Sequence, residues 1–374
     1  MNQAILILLF LMTNALTDAS PIPVFFGTNT GGGGTSKGIY AASFDPESGR
    51  FIGEAVLVAE IPSPGFVVRH PELSVLYSTS TESVSAFHIV DKKSHPALTP
   101  LNAEMTQSEQ AAHVSVSPFG KTLITVHYGT GRVVVFPIHK DGSIRPSNQF
   151  IQLTKASGTD PDRQESPHPH SAFFDPTGKY LLVPDLGADR TYIYAHDASS
   201  SSLTPHGHAQ SAQGAGPRHL KFSPDGRFVY VLNELKQTVD AFAWDGEAGS
   251  LQSIGTFVGL TDDEKAGTAG ILASEIRVHP NGKFLYTANR GHNSISVFSI
   301  DSSSGQLTRC QNIPAEVNWP RNFHIEPSGK WLLCAGQNSS NVAVFAIDPE
   351  SGKLTLSENA KLTIPRPICI EFGN

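Results

Sequence analysis

Three shortages narrow the problem before any motif is read. Charged side chains make up only 16% of the 374 residues, well under the roughly 25% of an ordinary globular chain. Lys and Arg form no stripe and the net charge is -7, so the electrostatic footprint of a protein that binds nucleic acid or an anionic membrane is missing. Cysteine is confined to Cys310, Cys334 and Cys369, an odd number at wide spacing that suits neither a disulfide framework nor a zinc knuckle. Buried thiols, with at most one bridged pair, are expected. No apolar run beyond the N-terminus is long enough to cross a bilayer, and no segment has the period of an amphipathic helix of ordinary length. In contrast, Gly (33) and Pro (26) are plentiful and spread throughout, which favours many turns joining short strands.

The first twenty residues, MNQAILILLFLMTNALTDAS, hold an apolar block from Ala4 to Met12 followed by small and polar residues. This pattern predicts a secretory signal over residues 1–19, cleaved near Ala19, and an extracytoplasmic mature chain. The missing Lys or Arg ahead of the block leaves the alternative of an uncleaved leader on a cytoplasmic protein.

Beyond the leader, one unit recurs: SPFGKTLITVHYGTGRVVVFPI, DPTGKYLLVPDLGADRTYIYAH, SPDGRFVYVLNELKQTVDAFAWD, HPNGKFLYTANRGHNSISVFSID and EPSGKWLLCAGQNSSNVAVFAID, with a weaker copy in HPELSVLYSTSTESVSAFHIV. The anchoring prolines, Pro71, Pro118, Pro176, Pro224, Pro280 and Pro327, follow one another at intervals of 47 to 58 residues. Each unit divides into four short β-type runs separated by turn residues, the grammar of a propeller blade. Six anchored copies leave material for three strands at the N-terminus and one, PRPICIEF, at the C-terminus. The expected fold is therefore all-β: a single domain over 20–374, a seven-bladed propeller of four-stranded antiparallel blades with one blade shared between the termini. Such sharing removes the free sheet edge at the seam. Gly31 to Gly34 then fall in a hairpin loop, not in a phosphate cradle, which would need a helix after it.

Side chains two apart on a strand share a face, so equivalent positions in different blades can be compared. Six residues before each anchor stand Ala112, His170, Arg218, Ser274 and Arg321, with Arg366 in the C-terminal strand. Ten residues after it stand Tyr128, Leu186, Glu234, Arg290 and Gln337. Antiparallel pairing brings the two positions together at one mouth of the channel. Glu275 and Arg277, on the opposite strand face, receive no place from this register. His168-x-His170 and His206-Gly-His208 have metal-like spacing, but a zinc site needs a third ligand, and a ring of arginines repels a cation. Guanidinium forks around a carboxylate instead suit a small anionic molecule. A purely structural role, with Glu234 neutralising Arg218 or Arg290, fits the same pattern.

The stretches PHSAFFDP, GAGPRHLKFSPDGRFVYVLNEL, HPNGKFLYTANR and PRNFHIEPSGKWLLCAGQ resemble the seven-bladed propeller lactonase family, which includes 6-phosphogluconolactonases and 3-carboxy-cis,cis-muconate lactonizing enzymes. The resemblance spans nearly the whole chain after the leader. It implies a metal-free site at the channel mouth in which His170, Arg218, Glu234 and Arg290 act on an anionic sugar lactone; no cofactor is expected, and the register adds Arg321 and Gln337 as expected substrate-binding residues. Hydrolysis of 6-phosphogluconolactone is the leading expectation. Lactone-forming cyclisation of a muconate, and a non-enzymatic binding propeller outside the cytoplasm, are the alternatives. The leader departs from the pattern, because 6-phosphogluconolactone is a cytoplasmic intermediate.

Overall fold

The repeated units fold into antiparallel sheets, and seven sheets close a ring: six have four strands, and the sheet that begins with Pro320–Ile325 carries a fifth short strand, Leu362–Thr363, beside Asn341–Ile347. The computed structural model describes residues 20–90, 96–358 and 360–373; the expected signal over 1–19 lies outside the described residues. One blade, for example, runs Pro217–Phe222, Phe228–Asn233, Thr238–Asp245 and Ser250–Val258. The shared blade is present as expected, with Pro367–Phe372 paired to Ile22–Thr28, followed by Gly38–Asp45 and Arg50–Glu60. Helix is limited among the described residues to Asp262–Lys265, a single turn capped by Thr261. No helix of the described residues is long and apolar enough to cross a membrane.

The apolar residues of each blade face its two neighbours, so the core is a ring of interfaces. Tyr286, Phe323 and Phe345 pack across one junction, and Phe26, Phe44 and Val344 across the next, where the C-terminal strand adds Ile370. The turn glycines explain why Pro-x-Gly is kept. Gly120 and Gly329 have φ of +65° and +81°, a region costly for any residue with a Cβ. A Cβ on either would also strike the imidazole of the preceding blade, at 2.1 Å from His70 and 2.6 Å from His279. Those imidazoles hold the same turns through the Gly120 and Gly329 carbonyls, at 3.1 and 2.8 Å. The histidines before Pro71 and Pro280 therefore staple blade to blade.

Deleting residues 367–374 should leave Ile22–Thr28 as an open edge and uncover the apolar junction that Ile370 and Phe372 fill. The expected result is aggregation, or loss of the cooperative melt, on size-exclusion chromatography and calorimetry. A truncated chain that stays monodisperse with an unchanged melting temperature would contradict closure by this strand.

All three cysteines are free, Cys334 and Cys369 fully buried and Cys310 partly so, in agreement with the expected thiols.

Candidate active site

At one mouth of the channel lies a cavity of about 510 Å³, lined among others by Tyr128, Arg163, His170, Arg218, His219, Glu234, Arg290, Arg321 and Asn322. The residues converge because first strands begin, and second strands end, at this face. Glu234 directly follows Phe228–Asn233, and its amide donates to the Gly216 carbonyl at 2.7 Å, fixing it beside Pro217–Phe222. Arg290 ends Phe284–Arg290, opposite Leu272. His170 precedes the two-residue strand Phe173–Phe174 and is tied by its amide to the Pro184 carbonyl at 3.1 Å.

Glu234 is buried and shared by three arginines. Its Oε1 accepts a 2.6 Å bond from Arg163 Nη2. Its Oε2 lies 2.7 Å from Arg218 Nε and 3.0 Å from Arg290 Nη2. The Arg218 N–H does not point at the oxygen, so that contact is one of charge and not of hydrogen bonding. Burial alone would raise the Glu234 pKa, but Arg290, Arg218 and Arg163 outweigh it and hold the carboxyl at about 2. Burial, and then Arg290, draw Arg218 down to about 9, still protonated at neutral pH. Burial, then Arg218 and His219, push His170 well below the usual imidazole range, so it is neutral. Its Nδ1 is buried and has no protein partner. Among the described residues four guanidinium groups thus face the cavity against one carboxylate, in a chain whose overall charge is negative.

Of the positions expected at the mouth, His170, Arg218, Glu234, Arg290 and Arg321 line the cavity, as do Ala112 and Tyr128. Others depart from the register. Gln337 stands behind Arg321 and accepts from its Nη1 at 3.3 Å instead of lining the cavity. Arg366 turns away, at φ +46°, to hold the loop carbonyl of Gly31, because its strand begins one residue later, at Pro367. Ser274 accepts from Arg218 Nη1 through its carbonyl and lies behind the wall. His168 is structural: its ring stacks on Tyr128 at 4.3 Å, and Nδ1 donates to the Tyr128 carbonyl at 2.8 Å. His206 and His208 are exposed on the outer strand Ser202–Gln210, and His206 Nε2 donates to the Ala248 carbonyl at 2.7 Å. Among the described residues no three His, Cys, Asp or Glu side chains are grouped to hold a metal ion.

Among the lining residues that escaped the register are Arg163, His219 and Asn322. The last two follow slot arginines and face the cavity because a bulge interrupts alternation between Pro217 and His219 and again between Pro320 and Asn322. A third bulge, between Ala273 and Ile276, turns Glu275 inward. The cue in the sequence was a pair of adjacent polar residues, Arg-His or Arg-Asn, where an alternating strand needs only one. Arg163 comes from the extra residues that lengthen the interval between Pro118 and Pro176, a loop that folds over the mouth.

The described residues thus define a seven-bladed propeller whose channel mouth gathers four arginines around one carboxylate. The chain is a member of the seven-bladed β-propeller lactonase family, whose model, "Lactonase, 7-bladed beta-propeller", matches residues 23–372. It is 36% identical to the 6-phosphogluconolactonase of Bacillus subtilis over 80% of this chain and 83% of that one. It is 33% identical to the 6-phosphogluconolactonase of Serratia proteamaculans, over 73% and 78%. The solved structure of the periplasmic gluconolactonase of Pseudomonas aeruginosa superposes with a TM-score of 0.85 at 30% identity, covering 94% of this chain and 99% of that one.

Proposed function

We propose that this protein is a lactonase that hydrolyses an anionic sugar lactone, 6-phospho-glucono-1,5-lactone to 6-phosphogluconate foremost. The observation that carries this reading is that, among the described residues, two buried guanidinium groups, Arg218 and Arg290, and two partly exposed ones, Arg163 and Arg321, surround the one carboxylate of the cavity. Buried, uncompensated cations are costly, so a site that keeps them is organised for an anion.

Glu234 accepts a proton from the attacking water. Arg218 and Arg290 face the charge that develops on the carbonyl oxygen, in a site where fixed donors act more strongly than in water. As the tetrahedral adduct collapses, the ring C–O bond breaks and the ring oxygen takes up the proton that Glu234 carries. His170, neutral, donates its N–H to the carbonyl oxygen. Arg321, steadied by Gln337, binds the substrate body. No metal or cofactor has a step. With the leader over residues 1–19 cleaved, the enzyme, residues 20–374 as one domain, acts outside the cytoplasm like its periplasmic gluconolactonase neighbour; with the leader retained, it acts in the cytoplasm, where 6-phosphogluconolactone arises.

The test is a lactone panel offered to purified protein with and without chelator, following acid release. Hydrolysis of 6-phosphogluconolactone well above the spontaneous rate, unaffected by chelator, is the expected result. A rate no faster than buffer across the panel would refute the proposal, and disappearance of cis,cis-muconate absorbance would redirect it to the cyclisation.

A further inference from the structure

We propose that Arg163 is the seat of the substrate's phosphoryl group and that, in binding it, Arg163 releases the Oε1 atom of Glu234. The inference rests on the lactonase reading above and names the selective element of that site.

The four arginines are not equivalent. Arg218 and Arg290 are built into the wall, with side chains only 3% and 6% exposed. Each also donates to backbone carbonyls, Arg218 to Ser274 and Arg290 to Ala273 and Leu272. Arg321 is braced by Gln337. Arg163 has no backbone acceptor among the described residues: its bonds run to Glu234 Oε1 and, at 3.4 Å from both Nε and Nη2, to the Tyr128 hydroxyl. Its side chain is 29% exposed, the most open of the three around Glu234.

Its root, in contrast, is fixed. The neighbouring Gln164 is fully buried, and its Nε2 donates to the Leu186 carbonyl and to Asp189 Oδ1, both at 2.7 Å. The Gln164 amide donates to the Asp160 carbonyl at 2.7 Å and its carbonyl accepts from Gly158 at 3.0 Å. A held backbone with a free tip lets the guanidinium exchange one anion for another without moving the loop. A phosphoryl group arriving at the mouth presents the planar fork with oxygens of higher charge than a carboxylate. Once Arg163 turns to it, Glu234 keeps Arg218 and Arg290 on Oε2 but loses its 2.6 Å bond on Oε1, the oxygen then open to a water. A carboxylate relieved of one cation is also the stronger base.

The experiment is calorimetric titration of 6-phosphogluconate and of gluconate into wild type, Arg163→Ala and Arg163→Gln, with lactone turnover measured in parallel. Wild type should prefer the phosphorylated acid. Arg163→Ala should lose about 10- to 100-fold in affinity for it, the range of a charge-assisted contact, while gluconate binding stays within about threefold. Arg163→Gln, which keeps the length and the polar tip, should behave like the alanine variant and guards against a folding defect. Equal binding of the two acids by wild type, or an equal loss for both in the variants, would overturn the inference and leave hydrolysis of neutral lactones standing. A wild type that shows the Arg163-dependent preference yet hydrolyses neither lactone keeps the inference and refutes the lactonase reading.

Discussion

Glu234→Gln is expected to lower kcat/KM for 6-phosphogluconolactone by about 100- to 10,000-fold, the usual worth of a positioned proton-transfer group. Gln has the shape of Glu234 but cannot take a proton from water, and among the described residues no other carboxylate lines the cavity. Product binding should survive, because the arginines remain. Folding has to be measured beside activity. The amide puts donors against Arg163, Arg218 and Arg290, so the variant should be less stable than wild type and should regain part of the loss in phosphate buffer, where the anion replaces the missing charge. The pH dependence has a definite sign. The folded-state pKa of Glu234, about 2, lies below its ordinary 4.5, so its contribution to stability is complete above pH 4.5 and fades as pH falls toward 2. The stability gap between wild type and Glu234→Gln should therefore be constant above pH 4.5 and close below it. Unchanged turnover by a folded Glu234→Gln would remove the residue from proton transfer.

The second large effect is on stability and lies deeper in the channel. Glu275→Ala should cost about 3–5 kcal/mol, the penalty for leaving buried charge unpaired. Glu275 is fully buried and joins several blades. Its Oε1 lies 3.2 Å from His219 Nδ1, its Oε2 3.7 Å from Arg277 Nη2, and Asn322 Nδ2 donates to Oε2. Asn322 in turn accepts the Ile370 amide at 2.9 Å, which carries the network into the blade shared by the termini. Burial, and then Arg277, pull Lys221 in the same interior down to about 7; its ammonium sits 3.9 Å over the Phe173 ring. Removing Glu275 strips these cations of a counter-charge and the imidazole of its partner. Glu275→Gln, which retains an acceptor for Asn322, should cost less. Urea unfolding measures both, and a Glu275→Ala midpoint matching wild type would show that the cations are compensated elsewhere.

The repeat made the fold legible. Pro-x-Gly turns and period-two apolar runs are local features, and six anchored copies of the blade pattern, with the N-terminal strands and PRPICIEF left to make a seventh blade, admit one closed arrangement. The site was legible only as far as the strand register holds. His170, Arg218, Glu234, Arg290 and Arg321 were found because regular strands carry equivalent positions to equivalent places. Gln337 was placed one layer too far forward, and Arg366 on the wrong side of its strand's first residue. His219, Asn322 and Glu275 were missed because bulges break alternation, and a bulge depends on pairing with another strand. Arg163 lies in no repeat at all.

The sequence by itself determined the ring, its closure and the face on which arginines and a carboxylate gather, because hydrophobic period and turn chemistry act over a few residues. Only the tertiary structure decided which arginine is free at its tip, which are locked to carbonyls, and which buried charges answer one another across the channel. Those facts arise between blades far apart in the chain, where position is set by packing and no local preference records it.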